Sequence, residues 1–208
     1  MKKILFVLIF CILLLSSISF AKEFPDVAST YWAHQYISEL SDQGVINGYE
    51  DGTFRPNGTV TYAEFLKLMV CSDYYRSSFA KFAAGSEGNW YDIYFSMADD
   101  IVTYNYDRTP NKPISRLEMA KIILDFADYD RILHFKNVDI TNTNMFNDTK
   151  GLADMDIKVL STIKELGIIT GYEDNSFRPS NNMTRAEVAT IMYRYKKLLR
   201  GEWKWKEY

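Results

Sequence analysis

Hydrophobic residues recur at helical spacing in three separate parts of the 208-residue chain. In each part they occupy one face of a predicted amphipathic helix, with polar residues on the other face. The apolar positions are Phe65, Leu68 and Met69; Met119, Ile122 and Ile123; and Val188, Ile191, Met192 and Tyr195. Because an amphipathic helix cannot bury its apolar face alone, we expect the three helices to meet in a central bundle.

Each of these three helices is preceded by the same capping pattern, a hydroxyl residue followed three positions later by glutamate. The pairs are Thr61 and Glu64, Ser115 and Glu118, and Thr184 and Glu187. In a capping box the hydroxyl accepts a hydrogen bond from the backbone of the glutamate, and the glutamate accepts one from the backbone of the cap. The pattern therefore predicts where all three helices begin.

A shorter helix and a turn precede the first and last capping boxes. Residues 48–56 read Gly-Tyr-Glu-Asp-Gly-Thr-Phe-Arg-Pro, and residues 171–179 read Gly-Tyr-Glu-Asp-Asn-Ser-Phe-Arg-Pro. Such stretches are typical of turns. The shorter helix is indicated by Trp32, Tyr36, Ile37 and Leu40 at helical spacing. The pattern predicts an almost entirely helical fold.

These elements form an internal repeat, which is the strongest signal in the sequence. We predict repeats at residues 22–80, 81–140 (degenerate, with a connecting segment) and 141–199, and a basic, aromatic tail at 200–208. The middle copy lacks the Gly-Tyr-Glu-Asp element and has Ala84 where the outer copies have Asp26 and Asp148. The third copy has Met155 where the others have Trp32 and Trp90.

The first 21 residues have the pattern of a signal peptide. Lys2 and Lys3 precede an apolar run at 4–15, and Ser19-Phe20-Ala21 reads as a cleavage site. The run of about a dozen residues is shorter than the roughly 20 that span a bilayer. We therefore expect a secreted protein; a single membrane anchor is the alternative.

Charge and chemistry narrow the range of functions. The chain has 24 basic and 27 acidic residues, so loss of Lys2 and Lys3 leaves 22 basic residues and a net charge of about −5. This balance argues against a nucleic-acid partner. His34 and His134 have no Cys or His at metal-ligand spacing, so we expect no metal and no cofactor. We expect the three capping glutamates to serve their helices, and we do not expect an enzyme.

The motifs resemble those of the S-layer homology family. That family's repeats run Phe-x-Asp, Trp-Ala, Gly-Tyr-x-Asp-Gly-Thr-Phe-Arg-Pro and Thr-Arg-Ala-Glu. The first copy here has all four elements in order, with Tyr62 in place of the arginine, and the third copy has the first, third and fourth. The resemblance covers nearly the whole mature chain. The resemblance implies a pseudo-threefold spindle with a central three-helix bundle and grooves between repeats. It also implies non-covalent anchoring to secondary cell-wall polymers, often carrying pyruvylated sugars, or to peptidoglycan.

The resemblance also implies that the arginine of Thr-Arg-Ala-Glu contacts the acidic group of the polymer. Arg116 and Arg185 fill this position. The first turn of a helix favours an anion, and a guanidinium adds a forked donor that matches a carboxylate. Alternatively, the two arginines are solvated residues paired with acids of the next repeat. Tyr62 occupies the position in the first copy, so its groove is predicted to be weak, altered or structural.

Further ligand-binding candidates are aromatic and acidic. Trp32 and Trp90 could stack on sugars, or they could pack in the core. Asp26 and Asp148 could orient the start of their repeats, or they could accept hydrogen bonds from sugar hydroxyls. Residues 203–206 (Trp-Lys-Trp-Lys) could lie on a membrane or an acidic polymer, or be the frayed end of the last helix.

Three functions compete. The favoured one is a cell-surface binding module that holds cell-wall polysaccharide or peptidoglycan. The second is structural, in which the repeats have lost the ligand and assemble with S-layer or other envelope proteins. The third is a glycan hydrolase, which requires two carboxylates facing each other across a cleft.

Overall fold

The computed structural model of the chain describes residues 23–72, 88–130 and 146–202, so the predicted signal peptide and residues 203–206 lie outside the described part. Its helices are α1 (His34–Asp42), α2 (Tyr62–Cys71), α3 (Asp92–Asp99), α4 (Arg116–Tyr129), α5 (Asp154–Glu165) and α6 (Arg185–Leu199). Within these ranges, β pairing is limited to isolated bridges. The prediction of a mainly α fold is confirmed. None of the described helices is long and apolar enough to cross a membrane.

The three capped helices, α2, α4 and α6, begin where the capping pattern predicts. Thr61 and Thr184 form complete capping boxes with Glu64 and Glu187. At α4 the cap differs. The Ser115 hydroxyl accepts from the Glu118 N–H and donates to the Glu118 carboxylate at 2.7 Å, and no reciprocal bond from the Ser115 backbone completes the box in the described contacts.

The first helix of each copy (α1, α3 or α5), called its short helix, packs on a capped helix from another copy. α3 of the middle copy lies on α2 of the first, α5 of the third lies on α4 of the middle, and α1 of the first lies on α6 of the third. The exchange is cyclic, so the first and last copies are in contact as neighbours. Because each short helix packs on a different copy from its own, residues of all three copies surround each position between copies.

A closed ring of backbone hydrogen bonds joins the copies just before the capped helices. The Val60 N–H donates to the Met183 carbonyl at 3.0 Å, the Met183 N–H to the Ile114 carbonyl at 3.2 Å, and the Ile114 N–H to the Val60 carbonyl at 2.9 Å. All three residues are buried. The ring gives the fold an approximate threefold axis.

The core is a single hydrophobic cluster to which all three copies contribute. The buried residues of α2, α4 and α6 include Phe65, Met119, Ile123, Val188 and Tyr195. The predicted first helix is shorter than its apolar pattern indicates. Trp32 precedes α1 and is 55% exposed, whereas Ile37 and Leu40 are buried as predicted.

Candidate functional site

In the first and third copies, the turn between the short helix and the capped helix is fixed by the aspartate at the start of the repeat. Both oxygens of Asp26 accept backbone hydrogen bonds, from Phe54 at 2.8 Å and from Arg55 at 2.6 Å. Arg55 is held at φ 57°, in the left-handed region that most side chains avoid. The aspartate thus stabilises a turn that would otherwise be strained.

Asp148 makes the same two contacts in the third copy. Its oxygens accept from Phe177 and Arg178, both at 2.7 Å, and Arg178 has φ 59°. The suggested role of Asp26 and Asp148 as ligand contacts stays a prediction. The structure supports their orienting role, since both oxygens of each carboxylate already hold the backbone.

The first two N–H groups of each capped helix are not free to bind an anion, contrary to our expectation that the first turn favours one. The N–H groups of Tyr62, Arg116 and Arg185 donate to carbonyl oxygens of the next copy at 2.8–3.0 Å. The following N–H of each helix donates to the carbonyl of Pro110, Pro179 or Pro56. Any attraction for an anion must therefore come from the side chains.

These contacts place the first helical residue of one copy against the turn of the next. At the Arg116 position the surface forms groove A, with a volume of about 880 Å³. Groove A draws on all three copies. Its lining includes Trp32 from the first copy, Arg116 from the second, and Tyr172, Arg178, Glu187 and Arg194 from the third.

Arg116 lies in the wall of groove A and is only 5% exposed. Its guanidinium carbon is 4.7 Å from the ring centre of Tyr172 and 5.0 Å from that of Phe177. Nη1 lies 3.6 Å from a Glu187 oxygen, and the buried Nε has no hydrogen-bond partner in the described part of the chain. Burial lowers the pKa of Arg116, but a guanidinium stays protonated in proteins. Arg116 is thus a buried cation with an unused donor.

Glu187 is the carboxylate beside this cation. One oxygen accepts from the Thr184 backbone at 2.9 Å and hydroxyl at 2.8 Å, and the other accepts from the Tyr172 hydroxyl. Burial acts to raise the pKa of Glu187, but the hydrogen bonds from Tyr172 and Thr184, together with Arg116, bring it below its usual value. Glu187 is therefore ionised at neutral pH and already fully engaged.

Groove B, of about 320 Å³, lies at the Arg185 position and is lined by Tyr49, Lys67, Trp90 and Arg185 among others. Arg185 Nε donates to the Phe54 carbonyl at 2.7 Å, and Nη2 donates to the Asn47 carbonyl at 3.1 Å. Its guanidinium also lies 4.8 Å from the Tyr49 ring centre. Arg185 therefore joins the third copy to the turn of the first, unlike Arg116.

Trp32 and Trp90 occupy the same position in the two grooves. Trp32 lines groove A and is 55% exposed, and Trp90 lines groove B and is 50% exposed. Of the two interpretations of these residues, core packing does not fit. Both side chains lie at the mouth of a groove with half of their surface open to solvent.

The third position between copies has lost both features. Tyr62 replaces the arginine and has no exposed surface, and Met155, in place of the tryptophan, is 67% exposed. Burial, followed by the nearby Glu118, raises the pKa of the Tyr62 phenol. We therefore remove Tyr62 from the candidate ligand contacts, because no ligand can reach it. Two substitutions from different copies thus fall at one position.

Sequence analysis missed several groove residues. Tyr172 and Arg194 line groove A, and Lys67 lines groove B. The tyrosine belongs to a repeated motif, which was a usable signal, but the other two needed the packing between copies. In residues 23–72, 88–130 and 146–202, no group of three or more His, Cys, Asp or Glu side chains is placed to hold a metal.

Comparison with known proteins agrees with the motifs. The family model of the S-layer homology domain matches residues 23–66 and 146–189. The chain is 31% identical over 185 residues to an amylopullulanase of Thermoanaerobacterium thermosulfurigenes, covering 86% of this chain and 10% of that protein. It is 27% identical over 181 residues to an S-layer protein of Bacillus thuringiensis subsp. finitimus, covering 82% of this chain and 21% of that protein.

An exoglucanase XynX of Acetivibrio thermocellus is 32% identical over 170 residues, which is 78% of this chain and 15% of the relative. The chain thus spans about a tenth to a fifth of the length of these relatives. Their similarity to this chain is confined to such a segment, so the activities in their names do not transfer to it. These matches indicate that the chain is located at the cell surface in association with the cell wall. They also show that the chain belongs to the S-layer homology family.

Proposed function

We propose that this protein anchors non-covalently to the cell wall by binding an anionic secondary cell-wall polysaccharide, of the pyruvylated type, or peptidoglycan. Groove A is the principal site. The observation that carries the proposal is Arg116, a largely buried cation whose ion pair with Glu187 is long, at 3.6 Å, in the wall of a groove that Trp32 also lines.

A ligand carboxylate would improve the environment of Arg116. A buried charge is costly unless its hydrogen bonds are satisfied, and here the pair with Glu187 is long, at 3.6 Å. Tyr172 lies between Arg116 and Arg178, with guanidinium carbons 4.7 Å and 4.0 Å from its ring centre. Arg178 is itself paired with Asp174 at 3.0 Å, and Glu173 also lines groove A. The attraction for an anion would therefore depend on the incompletely paired Arg116 and not on a net positive charge of the groove.

The rest of groove A suits a sugar. The exposed face of an indole is a common platform for the apolar side of a pyranose ring, and Trp32 is half exposed at the groove wall. Asn57, Asn181 and Asn182 add amides that can both donate to and accept from hydroxyl groups. An acidic sugar would thus find stacking, polar and ionic contacts together.

Groove B is the second site, with Arg185 in its wall and Trp90 at its mouth. We assign no ligand to the third position, because Tyr62 is buried and Met155 replaces the tryptophan. The capping glutamates are engaged at their helix starts, so the proposal includes no hydrolase activity. If the protein does not bind the cell wall, the alternative is assembly with S-layer or other envelope proteins.

The first experiment is co-sedimentation of the purified protein with cell-wall sacculi of the source bacterium, before and after acid removal of the secondary polymer. Loss of binding on removal would identify the polysaccharide as the ligand. Binding that survives would identify peptidoglycan. Absence of binding to both preparations would contradict the proposal and favour assembly with envelope proteins.

The site is tested with Arg116→Met, which removes the charge and keeps an apolar side chain of similar length. We expect at least a tenfold loss of wall binding, because a charge-assisted hydrogen-bonding pair is lost. Arg200→Met is the matched control. Arg200 is exposed, donates to Gln43 and lies outside both grooves. Equal binding by the two variants would exclude groove A.

A further inference from the structure

We propose that Lys67, together with Trp90, makes the contact to anionic sugar in groove B, and that Arg185 positions the wall of that groove instead of binding the charge. This inference rests on the proposed wall-binding function. It adds to the proposal a residue that the Thr-Arg-Ala-Glu motif does not include.

One position recurs in each of the three capped helices. The sixth residue after each cap is Lys67 in α2, Lys121 in α4 and Thr190 in α6. In α2 and α4 the lysine faces the short helix of the next copy, which packs on that same helix. The two lysines therefore have equivalent places at different positions between copies.

Their surroundings are opposite. Lys121 Nζ lies 2.6 Å from an oxygen of Asp156, the residue after Met155, so its charge is neutralised. Lys67 is exposed, and among the residues that the structure describes it has no carboxylate at ion-pair distance. Its Nζ lies 5.5 Å from the Trp90 ring centre and 6.0 Å from that of Tyr94. Groove B thus presents an unneutralised cation beside an exposed indole.

Arg185 is less suited to this role. Its Nε and Nη2 donate to the Phe54 and Asn47 carbonyls, at 2.7 Å and 3.1 Å, and these bonds hold the turn of the first copy. A ligand using the same donors would have to leave two backbone carbonyls unpaired. Lys67 can meet a ligand without that cost.

The chemistry defines the ligand class. Groove B is lined largely by apolar side chains, including Val45, Leu68 and Val188, with Trp90 at its mouth. Such a surface suits the apolar face of a sugar ring with an acidic substituent directed at Lys67. An ammonium is a compact, non-directional charge, so it can accept either a carboxylate or a phosphate, whereas a guanidinium fork favours bidentate pairing. Groove B is therefore expected to be less selective for the acid than groove A.

The test combines Lys67→Ala with the matched variant Lys121→Ala, each in the Arg116→Met background so that groove A does not mask the result. Binding to polymer-bearing sacculi is measured by co-sedimentation at low and high salt. We expect Lys67→Ala to weaken the remaining binding about tenfold and to reduce its salt dependence. Lys121→Ala should bind like its parent, because its charge is already paired.

Two hexosamines are used to identify the acidic group, one carrying a pyruvate ketal and the other a phosphate. Each sugar is titrated against the same variants, and binding is followed by tryptophan fluorescence. Quenching by either sugar that is lost in both Lys67→Ala and Trp90→Phe would support the inference. If Lys67→Ala and Lys121→Ala bind equally, or if Arg116→Met alone abolishes all binding, the inference is wrong while the proposed function stands. Only a wild-type protein that binds no wall preparation contradicts the proposed function itself.

Discussion

Arg116 Nη1 lies 3.6 Å from Glu187 Oε1, and the two residues belong to different copies of the repeat. The ion pair is longer than a direct hydrogen bond, because Tyr172 already donates to the same carboxylate oxygen. The arginine is thus partly compensated but not saturated. The cluster can remain folded without a ligand and still have a donor available for one.

The Glu187 carboxylate should make stability depend on pH. Its pKa is below the usual 4.5, so it contributes stability above about pH 4.5 that is lost as the pH falls through its lower folded value. Glu187→Gln keeps an oxygen for the cap but removes the charge. We expect it to cost about 1–2 kcal/mol at pH 7, with a difference from wild type that shrinks at about pH 3.

The measurement is the free energy of unfolding in urea at both pH values. Glu64→Gln, in the capping box of α2, is the comparison that shows how much of the loss comes from the cap alone. A gap between wild type and Glu187→Gln that stays constant from pH 7 to about pH 3 would show that the charge at Glu187 does not contribute.

The two arginines should differ in their effect on stability. Arg185→Met leaves the Phe54 and Asn47 carbonyls without their donors, so we expect a loss of about 1–3 kcal/mol. Arg116→Met removes the cation 3.6 Å from Glu187, but that carboxylate keeps its hydrogen bonds from Tyr172 and Thr184, so we expect a smaller loss than for Arg185→Met. Urea unfolding of both variants tests this contrast, and a larger loss for Arg116→Met would reverse our assignment of their roles.

Asp26 should matter for folding more than for ligand contact. Asp26→Ala removes two hydrogen bonds to the backbone of Phe54 and Arg55, and we expect a loss of about 1–3 kcal/mol. Glu50→Ala, an exposed acidic residue of the same copy, should change stability by less than about 0.5 kcal/mol. The folded Asp26→Ala protein should still bind groove A ligands, and a selective loss of that binding would support Asp26 as a contact.

Two glycines with the same positive φ angle should respond differently to alanine. Gly171 and Gly52 both have φ 81°. A Cβ at Gly171 would lie 2.3 Å from Phe146, whereas a Cβ at Gly52 would meet no atom within 4 Å. Gly52→Ala should therefore cost only backbone strain, about 1–2 kcal/mol.

Gly171→Ala must also displace the buried Phe146 ring, so we expect it to be about 1–3 kcal/mol less stable than Gly52→Ala. Thermal or urea unfolding of the pair gives this difference directly. Equal losses in the two variants would mean that the ring moves aside without cost.

Much of the fold could be predicted from the sequence because its determinants are local. The caps of α2, α4 and α6 are short motifs beside apolar residues at helical spacing, and these predict helices without reference to the rest of the chain. Trp32 was placed on the first helix because it follows the same spacing, but the chain turns before that helix begins. Periodicity alone does not separate a helical residue from one that precedes the helix.

The site was less predictable because it depends on contacts between copies. The backbone N–H groups of Arg116 and Arg185 have no acceptor within their own helices. The carbonyl oxygens that accept from them belong to the next copy. Likewise, the absence of an ion pair to Lys67 among the described residues follows from which short helix packs on α2. The two tryptophans were selected by motif as ligand contacts, which stays a prediction, and only the packing shows which arginine each one accompanies.

The cyclic exchange of short helices has a consequence for how the copies can diverge. Each groove takes its arginine from one copy, its turn from the next and its tryptophan from the remaining one. Substitution of Arg116 or Trp32 therefore alters groove A and leaves Trp90 and Lys67 in place. Substitutions in different copies can therefore meet at a single position between copies, as with Tyr62 and Met155. The other two positions, grooves A and B, then keep their arginine and tryptophan.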